Sequence, residues 1–229
     1  KALDTRSYDP TQTIYGTGSS QSASSAPFDI KNRKLNYAIS DFDRTHVFQS
    51  YAVYELPFGR GKRFGASVHG AIERVIGGWQ VGSGLRLSSG RPMTVFSGAN
   101  TFGNVQQSMA NCNGCTRQDG ATADIDGYKW YFNAAERGKF TAPGPGELGN
   151  TGRNYFRGPG LVNLDFSVIK RTRINERFTF ELRGEAANLT NTPTFGFPTL
   201  TYTSSTFGRI RDTVSSYSRK MQIGAKLHF

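Results

Sequence analysis

The sequence predicts an all-β fold: an antiparallel transmembrane β-barrel segment, an incomplete barrel with about five long strands plus long outer loops. Three observations carry that prediction. Apolar and polar residues alternate with a period of two, as strands with two unlike faces require. The alternating runs are about 9–13 residues long, which crosses a bilayer at a tilt, whereas globular strands centre on about 5–6. The runs are joined by very unequal connections. Structureless connections beyond about 12–15 residues are uncommon in compact soluble domains, but outer-membrane barrels combine short periplasmic turns with long outer loops.

The first run, 45–56, is strand-like in composition, with two faces that are less distinct. The second, 77–90, sets Trp79, Val81, Ser83, Leu85 and Leu87 against Gln80, Gly82, Gly84, Arg86 and Ser88. In 161–171, Val162, Leu164, Phe166 and Val168 oppose Asn163, Asp165 and Ser167, and Ile169 breaks the pattern at its end. In 176–188, Phe178, Phe180, Leu182, Gly184 and Ala186 oppose Thr179, Glu181, Arg183 and Glu185. The last run sets Tyr217, Met221, Ile223, Ala225, Leu227 and Phe229 against Lys220, Gln222, Gly224, Lys226 and His228, with Arg219 interrupting the apolar face.

If the last strand runs toward the periplasm, the long stretches 1–44, 97–160 and 189–216 all fall outside. The turn at 172–175 and the connection 57–76 then fall inside, the latter longer than the rule expects. Five strands do not close a membrane barrel, for which eight is about the minimum, and hydrocarbon does not tolerate open sheet edges. The chain, which begins at Lys1, is therefore expected to be the last part of a longer barrel protein.

Composition narrows the alternatives. The chain has 229 residues, with 28 Lys and Arg against 17 Asp and Glu, a net charge of +11. It has no apolar run of about 18 residues, which excludes a transmembrane helix. Aromatic residues make up 13%, which argues against full disorder. The basic excess sits mostly near the C-terminus and in two short connections, one with Arg60, Lys62, Arg63 and Arg74, the other with Lys170, Arg171, Arg173 and Arg177. One continuous groove along a phosphate backbone would be built differently. Periodicity by itself also suits a soluble β-sandwich. The competing readings are a soluble basic β-domain binding nucleic acid or acidic glycans, a passive porin, and a barrel enzyme.

Several motifs occur in order. They are Asp43-Arg44-Thr45-His46 with Glu55-Leu56-Pro57-Phe58-Gly59-Arg60-Gly61-Lys62-Arg63-Phe64, and Gly77-Gly78-Trp79-Gln80 with Ser89-Gly90-Arg91-Pro92. Next come Gly149-Asn150-Thr151-Gly152-Arg153-Asn154, Arg183-Gly184-Glu185-Ala186-Ala187-Asn188-Leu189-Thr190-Asn191, and Phe207-Gly208-Arg209. Together they resemble the C-terminal part of Oar-like TonB-dependent outer-membrane receptors, over 45–229. The chain departs from that pattern at Ala187, where an aromatic is expected, and at Thr45. The resemblance implies a barrel of about 22 strands with a plug in its lumen. It implies substrate uptake driven through the plug by the TonB complex. Residues 1–229 would be the C-terminal part of that barrel, without plug or N-terminal strands, and 97–160 its long extracellular loop. The implied partners are outer-membrane lipid, the plug, the TonB complex, the barrel-assembly machinery and an unidentified substrate, with no nucleic acid. No cofactor, metal or enzymatic activity is expected.

Candidate site residues follow. Phe229, with Leu227, Ala225, Ile223 and Tyr217, resembles the C-terminal strand signal read by the barrel-assembly machinery; an ordinary lipid-facing strand ending in Phe is the plainer reading. Cys112 and Cys115 lie in the longest outer stretch, where an oxidising location favours a small disulfide. Asp165, Glu181, Arg183, Glu185 and Lys226 are expected to face the lumen, chiefly paired with one another. The loop aromatics Tyr128, Trp130, Tyr131, Phe132, Tyr155 and Phe156 are expected to pack the loop on itself rather than hold a ligand. His46, His69 and His228 stand in no catalytic motif.

Overall fold

The computed structural model describes residues 2–5, 32–102, 107–211, 213 and 218–229; Tyr217 lies outside them. Among the described residues the fold is all-β with two short α-helices and one 3-10 helix, Arg33–Asn36. In chain order the strands are β1 (Leu3–Asp4), β2 (Ala38–Ile39), β3 (Val47–Glu55), β4 (Trp79–Ser88), β5 (Pro92–Met93), β6 (Asn111–Cys112) and β7 (Ala123–Ile125). Then come β8 (Tyr128–Trp130), β9 (Phe140–Thr141), β10 (Phe156–Arg157), β11 (Leu161–Arg173), β12 (Thr179–Ala187) and β13 (Lys220–His228). The α-helices are α1 (Ala71–Ile76) and α2 (Ala134–Arg137).

The chain divides into two compact units. One comprises Phe48–Leu87, Val162–Pro193 and Ser215–Phe229. It carries most of a five-stranded sheet of order β13-β12-β11-β4-β3, in which each long strand lies beside the next one in sequence. Register fixes the faces. Phe180 stands between Thr172 and Leu227, Leu182 between Lys170 and Ala225, and Gly184 between Val168 and Ile223. On the opposite face Glu181 stands between Arg171 and Lys226, and Glu185 between Ser167 and Gln222. One face is thus mainly apolar and the other charged. Every residue of β3 and β13 is exposed, as edge strands are.

Three details differ from the sequence reading. Strand β11 continues to Arg173, so the turn lies at 174–178 rather than 172–175. Asn175 sets it: its side-chain oxygen accepts from the amides of Arg177 (3.0 Å) and Phe178 (2.8 Å). Strict alternation places Ile169 on the charged face opposite Arg183 and Lys170 on the apolar face opposite Leu182. Lys170 resolves the mismatch by bending its amine to the Gly77 carbonyl and over the Trp79 ring, 5.4 Å away.

The third difference is the connection between β3 and β4, which is a folded element rather than a bare turn. The Gly59 amide donates to the Phe64 carbonyl and the Phe64 amide to the Pro57 carbonyl, both at 2.9 Å. The Phe58 and Phe64 rings pack 5.7 Å apart. Helix α1 is held by the Arg60 amide on Glu73 (2.6 Å) and by the Trp79 indole on the Val75 carbonyl (2.9 Å). Gly78 turns the chain into β4 at φ 69°, and a Cβ there would collide with the Arg171 carbonyl.

The other unit comprises Lys1–Val47, Ser88–Leu161 and Thr194–Val214. Stretches read from sequence as loops here share one aromatic core. Phe132 packs its ring at 5.4–5.5 Å from Phe140, Phe156 and Phe207. Met93, Val95, Phe96, Ala110, Cys112, Tyr131, Leu200 and Ile210 belong to the same cluster. Four two-stranded ladders frame the unit, β1-β2, β5-β10, β6-β9 and β7-β8.

Candidate functional site

The charged face of the long-stranded sheet carries a hydrogen-bonded ladder across four strands. Arg171 of β11 donates to Gln80 of β4 at 3.2 Å and to Glu181 of β12 at 2.8 Å. Arg183 bridges Glu181 (3.3 Å) and Glu185 (3.2 Å) along β12. Gln222 of β13 donates to Glu185, and His228 lies 3.7 Å from Glu181. Lys226 faces the same side, opposite Glu181 in register. Of the charges singled out in the sequence, Glu181, Arg183 and Glu185 come together. Asp165 shares the face but is tied elsewhere, accepting from the Asn163 amide group (3.0 Å) and the Asn188 backbone (2.9 Å). The sequence places Arg171 in a basic connection and Gln80 and Gln222 on the polar faces of their strands, without joining them to the paired charges. The cross-strand register that joins them cannot be read from one strand's alternation.

Beside the ladder lies an open groove of about 410 Å³. Gly82 and Gly84 form its floor, with Tyr51 on one side and Asp165, Ser167 and Glu185 on the other. A Cβ on Gly84 would meet the Tyr51 ring at 3.3 Å, so the absence of side chains keeps the groove open. Ala52, Val53, Ala186 and Ala187 complete a mainly apolar lining, with the Ser83 and Ser167 hydroxyls and the Tyr51 ring offering polar and aromatic contacts. Among the described residues no group of three His, Cys, Asp or Glu is placed to hold a metal ion.

On the apolar face, Ile223, Ala225 and Leu227 of β13 stand opposite Gly184, Leu182 and Phe180. Phe229 follows two residues later and is almost fully exposed. Tyr217, grouped with them from sequence, is outside the described residues.

In the connection unit Cys112 and Cys115 form a disulfide, with Cα atoms 5.7 Å apart. Asn150 holds the Cys112 backbone from both sides, at 2.8 and 3.2 Å, and the Tyr155 hydroxyl donates to the Cys115 carbonyl at 3.1 Å. Of the loop aromatics, Tyr131, Phe132 and Phe156 are buried, whereas Tyr128 is exposed beneath the Arg209 guanidinium at 3.5 Å. Burial, helped by the nearby Glu136 charge, pushes the Tyr131 hydroxyl up to about 12.

Charged side chains also hold this unit together. Arg153, fully buried, donates to the Asn36 carbonyl (3.0 Å), to Asp41 (3.0 Å) and to Asp4. Arg157 pairs with Asp43 at 2.6 Å. Burial works to raise the Asp43 carboxyl, but Arg157 and the Ala2 amide (2.7 Å) outweigh it and hold the group below its ordinary value. Asp119 is likewise held low, by the Thr116 hydroxyl (2.7 Å) against an opposing effect of burial, with help from Lys139 (3.0 Å).

A family model described as an outer membrane beta barrel domain matches residues 5–222. No curated protein matches the chain, and no solved structure does.

Proposed function

The chain belongs to the outer membrane beta barrel domain family and lies in the bacterial outer membrane; from that premise we propose that it forms the C-terminal barrel portion of an Oar-like TonB-dependent receptor that takes up a solute. The observation that carries this reading is the division of one sheet into two unlike faces. Phe180, Leu182, Ile223 and Leu227 make a face suited to lipid, and the Arg171–Glu181–Arg183–Glu185 ladder makes one suited to a water-filled or plugged lumen. Among the described residues the outer edges of β3 and β13 pair with no further strand of the sheet. Hydrocarbon does not tolerate such edges, so in the membrane further strands must close the barrel.

In this reading the outer stretches 1–44, 97–160 and 189–216 meet the solute. The glycine-floored groove and the ladder line its route inward, and a plug moved by the TonB complex opens that route. No covalent chemistry is assigned to the chain. The exposed apolar stripe Ile223, Ala225, Leu227 and Phe229 serves the barrel-assembly machinery as the strand to be paired.

Planar-bilayer recording tests the reading against a passive pore. The protein as its cell makes it, inserted in a bilayer, should show no steady conductance, because a plug fills the lumen. Cross-linking in cells should join it to TonB. A stable ohmic conductance without a TonB adduct would favour a passive porin and overturn the proposal.

A further inference from the structure

The folded connection between β3 and β4 has chemistry that solute uptake does not use. It carries Arg60, Lys62, Arg63 and Arg74 against the single carboxylate Glu73. It also exposes large apolar side chains: Phe58 (43%), Phe64 (51%), Ile72 (59%) and Val75 (67%). Ile72 and Val75 are three residues apart, so they share one side of α1. A turn facing only water has no use for four such groups on an internally hydrogen-bonded frame. Lys62 is engaged with Glu55 at 2.9 Å, and Glu73 takes the Arg60 amide. The exposed guanidinium groups of Arg60, Arg63 and Arg74 therefore supply the outward positive charge.

The position of this element in the sheet narrows what it meets. It joins β3 to β4 where Trp79 and the bent-over Lys170 mark the end of the apolar face. Aromatic rings and long cations at strand ends are the pattern of a membrane–water boundary. The 174–178 turn, with exposed Ile174 and Phe178, lies at the same ends of the strands, as does Phe229. Shorter connections of outer-membrane barrels are periplasmic. Basic groups interleaved with exposed apolar ones complement a surface that is anionic above and hydrocarbon below.

We infer that the 57–78 connection is an interfacial anchor lying in the periplasmic leaflet. Phe58, Phe64, Ile72 and Val75 enter the boundary between headgroups and acyl chains. Arg60, Arg63 and Arg74 bind the phosphates of anionic phospholipid. The inference rests on the membrane-spanning reading of the sheet, with these strand ends periplasmic.

Spin labels on the protein as its cell makes it, reconstituted in vesicles, test the anchor. Ile72→Cys carries the label, and Ile223→Cys on the apolar face is the reference; Cys112 and Cys115 are bonded to each other and take no label. In vesicles of phosphatidylethanolamine with phosphatidylglycerol, the Ile72 label should collide severalfold more with dissolved oxygen than with a water-soluble nickel chelate. That preference should fall when phosphatidylglycerol is omitted, and in the combined R60E, R63E and R74E variant. A water-exposed Ile72 label beside a lipid-exposed Ile223 label overturns the anchor and leaves the spanning sheet standing. Two water-exposed labels overturn the spanning sheet and the anchor with it. A membrane-impermeant maleimide should not reach Ile72→Cys in intact cells; labelling from outside would place the element in the outer leaflet and overturn the periplasmic assignment.

Discussion

Arg171 donates its Nε to Glu181 at 2.8 Å across the β11–β12 pair, directly opposite it in register. Arg183 approaches the same carboxylate from along β12 at 3.3 Å. Glu181 thus holds two guanidinium groups together. Glu181→Arg should bring three guanidinium groups together beside Lys226 and lower the yield of assembled protein, read as the heat-modifiable band. Arg171→Glu should lower it as well. The exchanged pair, R171E with E181R, should recover much of the loss. If both single variants assemble as the parent does, the ladder is not what holds this face.

The opposite face answers to lipid. Leu182 stands between Lys170 and Ala225 near the middle of β12. Leu182→Arg should destabilise the inserted protein by only part of the about 2–4 kcal/mol that Arg costs at the bilayer midplane, because Leu182 lies level with Lys170 near the boundary. Reversible unfolding from vesicles in denaturant measures it. An equal cost for Arg at Arg183's neighbour on the charged face, Gly224, would mean that the two faces do not differ in environment.

These two predictions rest on what alternation reveals. The faces of 77–90, 161–171 and 176–188 were legible because a strand's side chains alternate whatever its neighbours are. The break at Ile169 is legible too, but Lys170's escape is not, because it depends on Gly77 and Trp79, far away in sequence. The core shared by the long connections was hidden for the same reason. Arg153 meets Asp4 across 149 positions and Asn154 meets Ile39 across 115, and no local pattern announces such pairs. The folded 57–78 element was visible only as a turn that was too long. Its charges are plain in the sequence, but its exposed Ile72 and Val75 acquire meaning only once α1 sets them on one side.

Arg153 is the central cation of the connection unit, fully buried and shared by Asp41 and Asp4. Arg153→Ala removes the charge that both carboxylates face. Removing one partner of a buried ion pair costs about 3–5 kcal/mol. Hydrogen exchange of the amides around Met93 and Phe156 should accelerate accordingly. Arg153→Lys should recover only part, because an ammonium cannot span the Asn36 carbonyl, Asp41 and Asp4 in one plane.

The Cys112–Cys115 bond closes a very short loop, so the entropy it removes from the unfolded chain is small, about 2 kcal/mol. The double Ser variant should keep the aromatic core, since the ring contacts among Phe132, Phe140 and Phe156 remain although Cys112 lies in the same cluster. Limited proteolysis should show faster cutting near 113–114 and an unchanged pattern elsewhere. Collapse of the whole connection unit would mean that the bond sets the fold instead of trimming one loop.

Acid should loosen the connection unit through Asp43 and Asp119. Both carboxyls are held below the ordinary 3.8, so the folded unit binds their protons more weakly than the unfolded chain does. Their contribution is present above 3.8 and is lost as the pH falls through their lower folded values. Exchange of the Phe96 and Ala110 amides, measured between pH 5 and about pH 2 and corrected for intrinsic rates, should rise below that point. Asp43→Asn should be weaker at pH 5 and show a flatter acid response, because the Arg157 pair at 2.6 Å is already lost. An Asp43→Asn profile parallel to the parent's would assign the acid sensitivity to other carboxylates.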